Sequence, residues 1–365
     1  MRRVFVVKVG TSTLTAGGKA LSKRRMLELA RQISVLVEAG EQIALVSSGA
    51  IAAGREALGF PKLEKTVAAK QLLSAVGQAR LMQTWAEVFA LFDKVVAQVL
   101  LTRGELSRRA GYLNARDTLQ ALLKQGIVPV INENDALATE EIRVGDNDNL
   151  SALVANLLDA DTLVLLTDIE GLFDADPRSN PNAKLLSEVK ALDDSIFALA
   201  GGTGTAQGTG GMRTKLEAAR LAGQSGTTTV IACGEQERVL ERLAAGESVG
   251  TRIHPLANRR ESRARWLLAE PPVGILVVDS GAATRLKTGR ASLLPIGILR
   301  VGGEFLRGDV VRVVRESEEP VAVGVAAYDA EALKKICGKP SKEIATLLGD
   351  SLGDEAIHRD DLALL

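Results

Sequence analysis

The sequence predicts an α/β protein: a doubly wound, mainly parallel sheet followed by a small β-barrel domain. Three observations carry this reading. Short runs that are apolar on both faces and rich in β-formers recur through the first 235 residues, as buried parallel strands require. Segments of helical period and propensity lie between them, which is the alternation of a doubly wound sheet. After about Glu270 the texture changes to short strand candidates separated by glycine.

The strand runs fall at residues 4–7, 43–46, 127–131, 162–166 and 228–232, and the helical segments at 23–39, 66–92, 113–125 and 215–222. The start, Met1-Arg2-Arg3 before an apolar run, is cut by Lys8 far short of a secretory segment and reads as the first strand. Strand candidates of the second part lie at 274–278, 296–301 and 310–314, with few helices expected. The polar, basic stretch 254–265 has no strand signal, so the domains are read as 1–255 and 272–365, joined by a linker at 256–271.

A length of 365 residues suits two or three domains, and 46% apolar with 25% charged residues excludes disorder. Lys+Arg and Asp+Glu are 45 each, so the formal charge is zero, with no overall drive toward nucleic acid or an anionic membrane. The apolar runs end well before the ~18 residues that a spanning helix needs. Cys233 and Cys337 form no CxxC pair and read as buried, reduced and structural. These readings place the protein in the cytoplasm.

Ligands of an α/β sheet collect beyond the carboxyl ends of its strands, and those ends are polar here. The first strand runs into Lys8-Val9-Gly10-Thr11-Ser12. A cation interrupting an apolar strand must find a partner or reach water. The second runs into Ser47-Ser48-Gly49 and a helix, a place for an anion or for a plain turn. The next runs into Asn132-Glu133-Asn134-Asp135, followed by Gly145-Asp146-Asn147-Asp148-Asn149. Calcium-loop spacing fails there, which leaves a solvated Asx turn or a site that grips a zwitterion. The 162–166 run ends in Thr167-Asp168. The glycine-rich 201–211 stretch opens a helix at Met212-Arg213-Thr214-Lys215, which suits an anion nest with a mobile cover over phosphates. No P-loop or G-x-G-x-x-G follows a strand, and His254 and His358 are too few and too poorly placed for a zinc site or serine triad. No metal ligands are assigned.

Taken together, KVGTS at 8–12, SSGAIAAG at 47–54, QLLSAVGQ at 71–78, LNAR at 113–116, VINEND at 130–135, GDNDNLSA at 145–152 and GTGGMRTK at 208–215 resemble the amino-acid kinase family. VDSGA at 278–282, SLLPIGI at 292–298, GEFLRGD at 303–309 and VGVAAY at 323–328 resemble a PUA domain. Within the family, the blocks look like those of members that phosphorylate the γ-carboxylate of L-glutamate toward proline. The resemblance implies an amino-acid kinase fold, ATP as co-substrate with Mg²⁺, proline as a feedback inhibitor, and a homo-oligomer. It implies that Lys8 and Lys215 neutralise the migrating phosphoryl group while Asp148 holds both lysines. Ser48, Asn134, Asp135, Asp146 and Asn147 would bind glutamate. Lys8, Thr167, Asp168, Thr209, Gly210, Gly211, Met212, Arg213, Thr214 and Lys215 would bind ATP.

Elementary chemistry agrees with a carboxylate acceptor, because a side chain of pKa ~4.3 is already an anion at neutral pH and needs no general base. Another carboxylate or carbamate kinase would share the phosphate-handling residues. An RNA-binding role for the PUA-like part is disfavoured by composition: residues 272–365 hold 12 Lys+Arg against 14 Asp+Glu, with Phe305 and Tyr328 as the aromatics available for stacking.

Overall fold

Apolar runs flanked by helices on both sides condense into a parallel sheet, and a computed structural model shows which face each side chain takes. It describes every residue except 1, 65, 138–146, 178, 201–210, 256–263, 265, 266, 289 and 290. Contacts divide the chain into two units, 1–258 and 259–365.

The strands of the first unit are β1 (Val4–Val9), β2 (Gln42–Ser47), β3 (Val96–Leu101), β4 (Val128–Glu133), β5 (Thr162–Thr167), β6 (Glu188–Val189), β7 (Thr228–Cys233) and β8 (Thr251–Ile253). Among the described residues they form one sheet in the order β3-β4-β2-β1-β5-β7-β8-β6, parallel from β3 to β7 with β8 antiparallel to β7. The five expected runs are β1, β2, β4, β5 and β7. The sequence reading missed β3, an edge strand that is half-buried along most of its length, and the very short β6 and β8.

Helices α1 (Thr11–Thr15), α2 (Lys23–Glu38), α3 (Ala50–Ala57), α4 (Val67–Ala90), α5 (Arg103–Ser107), α6 (Arg109–Lys124), α7 (Asn147–Leu157), α8 (Asp194–Leu199), α9 (Met212–Gly223) and α10 (Val239–Ala244) accompany the sheet. Ser22 and Thr66 start α2 and α4 by accepting backbone N–H groups of Arg25 and Ala69. The two-residue period of β1 sends Phe5, Val7 and Val9 to one face, where α2, α4 and α10 bury Met26, Leu29, Trp85, Phe89 and Leu240. Val6 faces the other side, packed with Leu150 and Val154 of α7 and Leu216 and Ala219 of α9. Lys8 has the parity of Val6, so the strand aims it at α7 and α9.

Helices α3 and α4 touch backbone to backbone. A Cβ on Gly54 would lie 1.9 Å from the Leu73 carbonyl oxygen, and one on Gly77 1.8 Å from that of Ala50. Glycine at both positions locks α4 against the helix that leaves β2.

The second unit is a five-stranded mixed sheet of β9 (Gly274–Val278), β10 (Ile298–Gly303), β11 (Val310–Arg315), β12 (Pro320–Val325) and β13 (Leu362–Leu364), ordered β10-β9-β11-β12-β13. Only the β9–β11 pair is parallel. Few helices were expected, yet short helices Ser280–Lys287, Ala330–Ile336 and Ile344–Leu348 bury Leu286, Leu333 and Ile344 against the sheet. Leu267 packs on Val310, Val323, Val325 and Ala363, so its segment shares this unit's packing. Phe305 and Tyr328 are buried in this core, which removes both as stacking platforms for bases. The cysteines, expected to be buried, are free and only half-buried.

Candidate active site

The strand order turns at β1: β2, β4 and β3 lie to one side and β5, β7, β8 and β6 to the other. Such a switch point leaves a crevice beyond the strand ends. Lys8, one residue before the end of β1, enters it from the sheet. Asp148 enters from the first turn of α7 and Lys215 from the first turn of α9.

The three side chains meet. Lys8 Nζ lies 2.7 Å from Asp148 Oδ1, and Lys215 Nζ lies 3.2 Å from Asp148 Oδ2. Thr214 Oγ1 donates to the same Oδ2 at 2.7 Å. Exposure is 7% for Lys8, 6% for Lys215 and 1% for Asp148, so two cations share one anion almost out of water. Burial pushes the Asp148 carboxyl up, but the charges of Lys8 and Lys215 and the hydrogen bonds of Lys8 and Thr214 hold it well below the usual carboxylate range. Taken by themselves, these three side chains sum to one positive charge. A lysine in the first turn of α9 opposes the helix dipole, so its place there calls for an anion. Asp148 supplies one, and the surplus charge suits a second.

Gly10, Gly49 and Gly211 precede α1, α3 and α9 with no side-chain cap, whereas α2, α4, α5 and α8 carry one. Gly49 has φ of 103°, a left-handed conformation for which glycine is suited.

Beside the lysines lies a net of amides. Asn147 Nδ2 donates to Ser48 Oγ at 3.0 Å and to Asn132 Oδ1 at 2.9 Å. Asn132 Nδ2 donates to Gln78 Oε1 at 2.9 Å, and Ser74 Oγ donates to Asp135 Oδ2 at 2.6 Å. The buried atoms Asn147 Oδ1 and Asp135 Oδ1 find no donor among the described residues. Burial raises the Asp135 carboxyl above its ordinary range, and the Ser74 hydroxyl offsets only part of that. The net thus offers acceptors, one of them a carboxylate, to a ligand with N–H donors.

Of the residues singled out in the sequence, Lys8, Ser48, Asp135, Asn147, Asp148, Thr214 and Lys215 are bound into these two networks. Thr167 ends β5 and gives its hydroxyl to Asp168 Oδ1 at 3.0 Å. Gly211 and Met212 open α9, and Arg213 points outward to Glu217. Asn134 contributes a backbone N–H to the Leu101 carbonyl. Asp146, Thr209 and Gly210 lie outside the described residues. The sequence reading gave no role to Ser74 or Gln78, although 71–78 was among its matching blocks, and singled out Asn132 only as part of the 132–135 cluster.

Against known families, the model of the amino acid kinase family matches residues 3–233, which include every residue of both networks. The chain belongs to the amino acid kinase family. The PUA domain model matches residues 274–348, over most of the second unit. Among its relatives are the glutamate 5-kinase of Sodalis glossinidius (strain morsitans), 52% identical over 99% of this chain and 99% of its own. The glutamate 5-kinase of Pasteurella multocida (strain Pm70) is 50% identical over 100% of this chain and 99% of its own. That of Shewanella oneidensis is 53% identical over 100% of this chain and 98% of its own. As an amino acid kinase the protein is a phosphotransferase. Among the described residues no helix is long and apolar enough to cross a membrane.

Proposed function

We propose that the protein transfers the γ-phosphoryl group of ATP to the γ-carboxylate of L-glutamate, giving L-glutamate 5-phosphate and ADP, the first step of proline biosynthesis. The observation that carries this is the buried Lys8–Asp148–Lys215 cluster with one surplus positive charge, in a chain about half identical to several glutamate 5-kinases over its full length.

A γ-carboxylate oxygen attacks the γ-phosphorus in line, and the bond from that phosphorus to the β,γ-bridging oxygen breaks, leaving on ADP. The acceptor is an anion already, so no proton is removed. The barrier comes from bringing like charges together, and fixed positive groups are the remedy. Lys8 and Lys215 neutralise charge on the transferring group, and Asp148 keeps both ammonium groups in place without cancelling them. Asp135 Oδ1 and Asn147 Oδ1 take the α-ammonium of glutamate, with Ser48, Asn134 and Asp146 around it. The first turn of α9 from Gly211 to Lys215, with Thr209, Gly210, Thr167 and Asp168, holds ATP.

Among the described residues no three acidic, His or Cys side chains gather into a cation cage. Mg²⁺ would travel with ATP, held by phosphate oxygens and water, where it would screen phosphate charge. Residues 1–255 would be the catalytic domain and 272–365 the PUA-like appendage. Free proline, which shares the zwitterionic end of glutamate, would compete for the same acceptors, and the working form would be a cytoplasmic homo-oligomer.

The test is ADP release measured in parallel with glutamate, aspartate, N-acetylglutamate and carbamate. Turnover confined to glutamate is the expected result. Turnover with another acceptor and none with glutamate would overturn the substrate assignment.

A further inference from the structure

We infer that Gln78 and Ser74 of α4 are positioning residues that set the polarity of the acceptors for the substrate's α-ammonium without touching the substrate. The inference rests on the glutamate-kinase reading and deepens it.

The backbone N–H of Glu133 is an obligatory donor, and it donates to Asn132 Oδ1 at 2.9 Å. That fixes which end of the Asn132 amide is oxygen. Its Nδ2 then points at α4, where Gln78 must present Oε1, and does so at 2.9 Å. Asn132 Oδ1 also receives Asn147 Nδ2 at 2.9 Å, whose amide is thereby turned with its NH₂ toward Ser48 and Asn132. Asn147 Oδ1 is left buried and, among the described residues, without a donor, as an acceptor for a ligand. The Glu133 N–H and Gln78 Oε1 thus hold the two ends of the Asn132 amide, which in turn sets the polarity of Asn147. Remove the Gln78 oxygen, and the buried Asn132 Nδ2 loses its acceptor, so the amide is held in this orientation from its oxygen end alone.

Ser74 does the same for the second acceptor. Its hydroxyl holds Asp135 Oδ2 at 2.6 Å, and Oδ1 is the atom left over. Ser74 and Gln78 are four residues apart and so stack on one face of α4. Gly77 between them seats that face at contact distance from α3, which begins two residues after Ser48. One helix face therefore registers both acceptors against the Ser48 loop.

The experiment compares Gln78→Met, which keeps length and loses the acceptor, with Gln78→Glu, which keeps an oxygen facing Asn132. For Gln78→Met the glutamate KM should rise about tenfold, the size of one misdirected hydrogen bond, with kcat and ATP KM within about twofold of wild type. Gln78→Glu should recover most of the change. Ser74→Ala should raise glutamate KM likewise. In an Asn132→Ala background Gln78→Met should add less than about twofold, because the two act in series. An unchanged glutamate KM in a folded Gln78→Met protein would overturn the positioning role. So would equal losses in kcat and ATP KM with no recovery by Gln78→Glu, or full additivity with Asn132→Ala. Wild-type turnover measured alongside separates the cases: no glutamate turnover at all would overturn the underlying reading and this inference with it.

Discussion

Replacing Asp148 by asparagine removes the anion that bridges two buried lysines, and the sum over these three side chains rises from one positive charge to two. At an effective dielectric near 20, unit charges at the observed 2.7 and 3.2 Å attract by about 6 and about 5 kcal/mol. Much of that offsets the desolvation of three charges, and removing one partner of a buried ion pair costs about 3–5 kcal/mol. For a unit of this size each kcal/mol lowers Tm by roughly 2–4 °C, so Asp148→Asn should melt roughly 6–20 °C below wild type. Lys8→Met should be far milder, since it leaves Lys215 and Asp148 as a neutral pair. Both should lower kcat, by about 10²–10³ if each group is worth what a positioned charge is worth elsewhere. The assay is thermal unfolding by circular dichroism with and without ATP, paired with kcat at saturating glutamate. Because the folded-state carboxyl is depressed, its stabilisation is present above about pH 4 and is lost as pH falls toward the folded value. That acid-sensitive component should be missing from Asp148→Asn. An Asp148→Asn protein as stable as wild type, or a Lys8→Met protein less stable than Asp148→Asn, would refute this.

Asp135 has the opposite sign. Its carboxyl is raised in the folded state, so its favourable contribution exists at low pH and is lost as pH rises from about 4 through the raised value. Asp135→Asn should therefore melt above wild type at pH 7 while its glutamate KM rises at least about tenfold, read from melting curves and saturation kinetics. Proline titrated at several glutamate concentrations should inhibit competitively; inhibition that glutamate cannot relieve would point to a separate site. A chain ending at residue 258, the limit of the first unit, should fold and retain phosphoryl transfer, checked by circular dichroism and ADP release.

The parts of this molecule legible in its sequence are those fixed by local pattern. Two-faced apolar runs gave β1, β2, β4, β5 and β7, and Lys8 stood out because a cation in such a run must be used. Edge strand β3 did not stand out, since Gln98 and half-exposed neighbours blur its period. Helix α7 was hidden because it opens on the polar Asn147-Asp148-Asn149 and is then buried through Ser151 and Ala152, leaving little amphipathic signal. The roles of Ser74, Gln78 and Asn132 depend on contacts between residues 54 and 61 positions apart, which no local spacing encodes. Resemblance located their blocks; only the folded geometry gave them partners.

On the proposed function, the Lys8–Asp148–Lys215 cluster carries phosphoryl transfer to a carboxylate. The most direct measurement is trapping the acyl phosphate with hydroxylamine while glutamate and ATP are supplied together, with ADP counted in the same reaction. The wild-type protein should give γ-glutamyl hydroxamate in step with ADP, and Lys215→Met neither product at more than a trace. ADP release without hydroxamate, or hydroxamate undiminished in Lys215→Met, would contradict it.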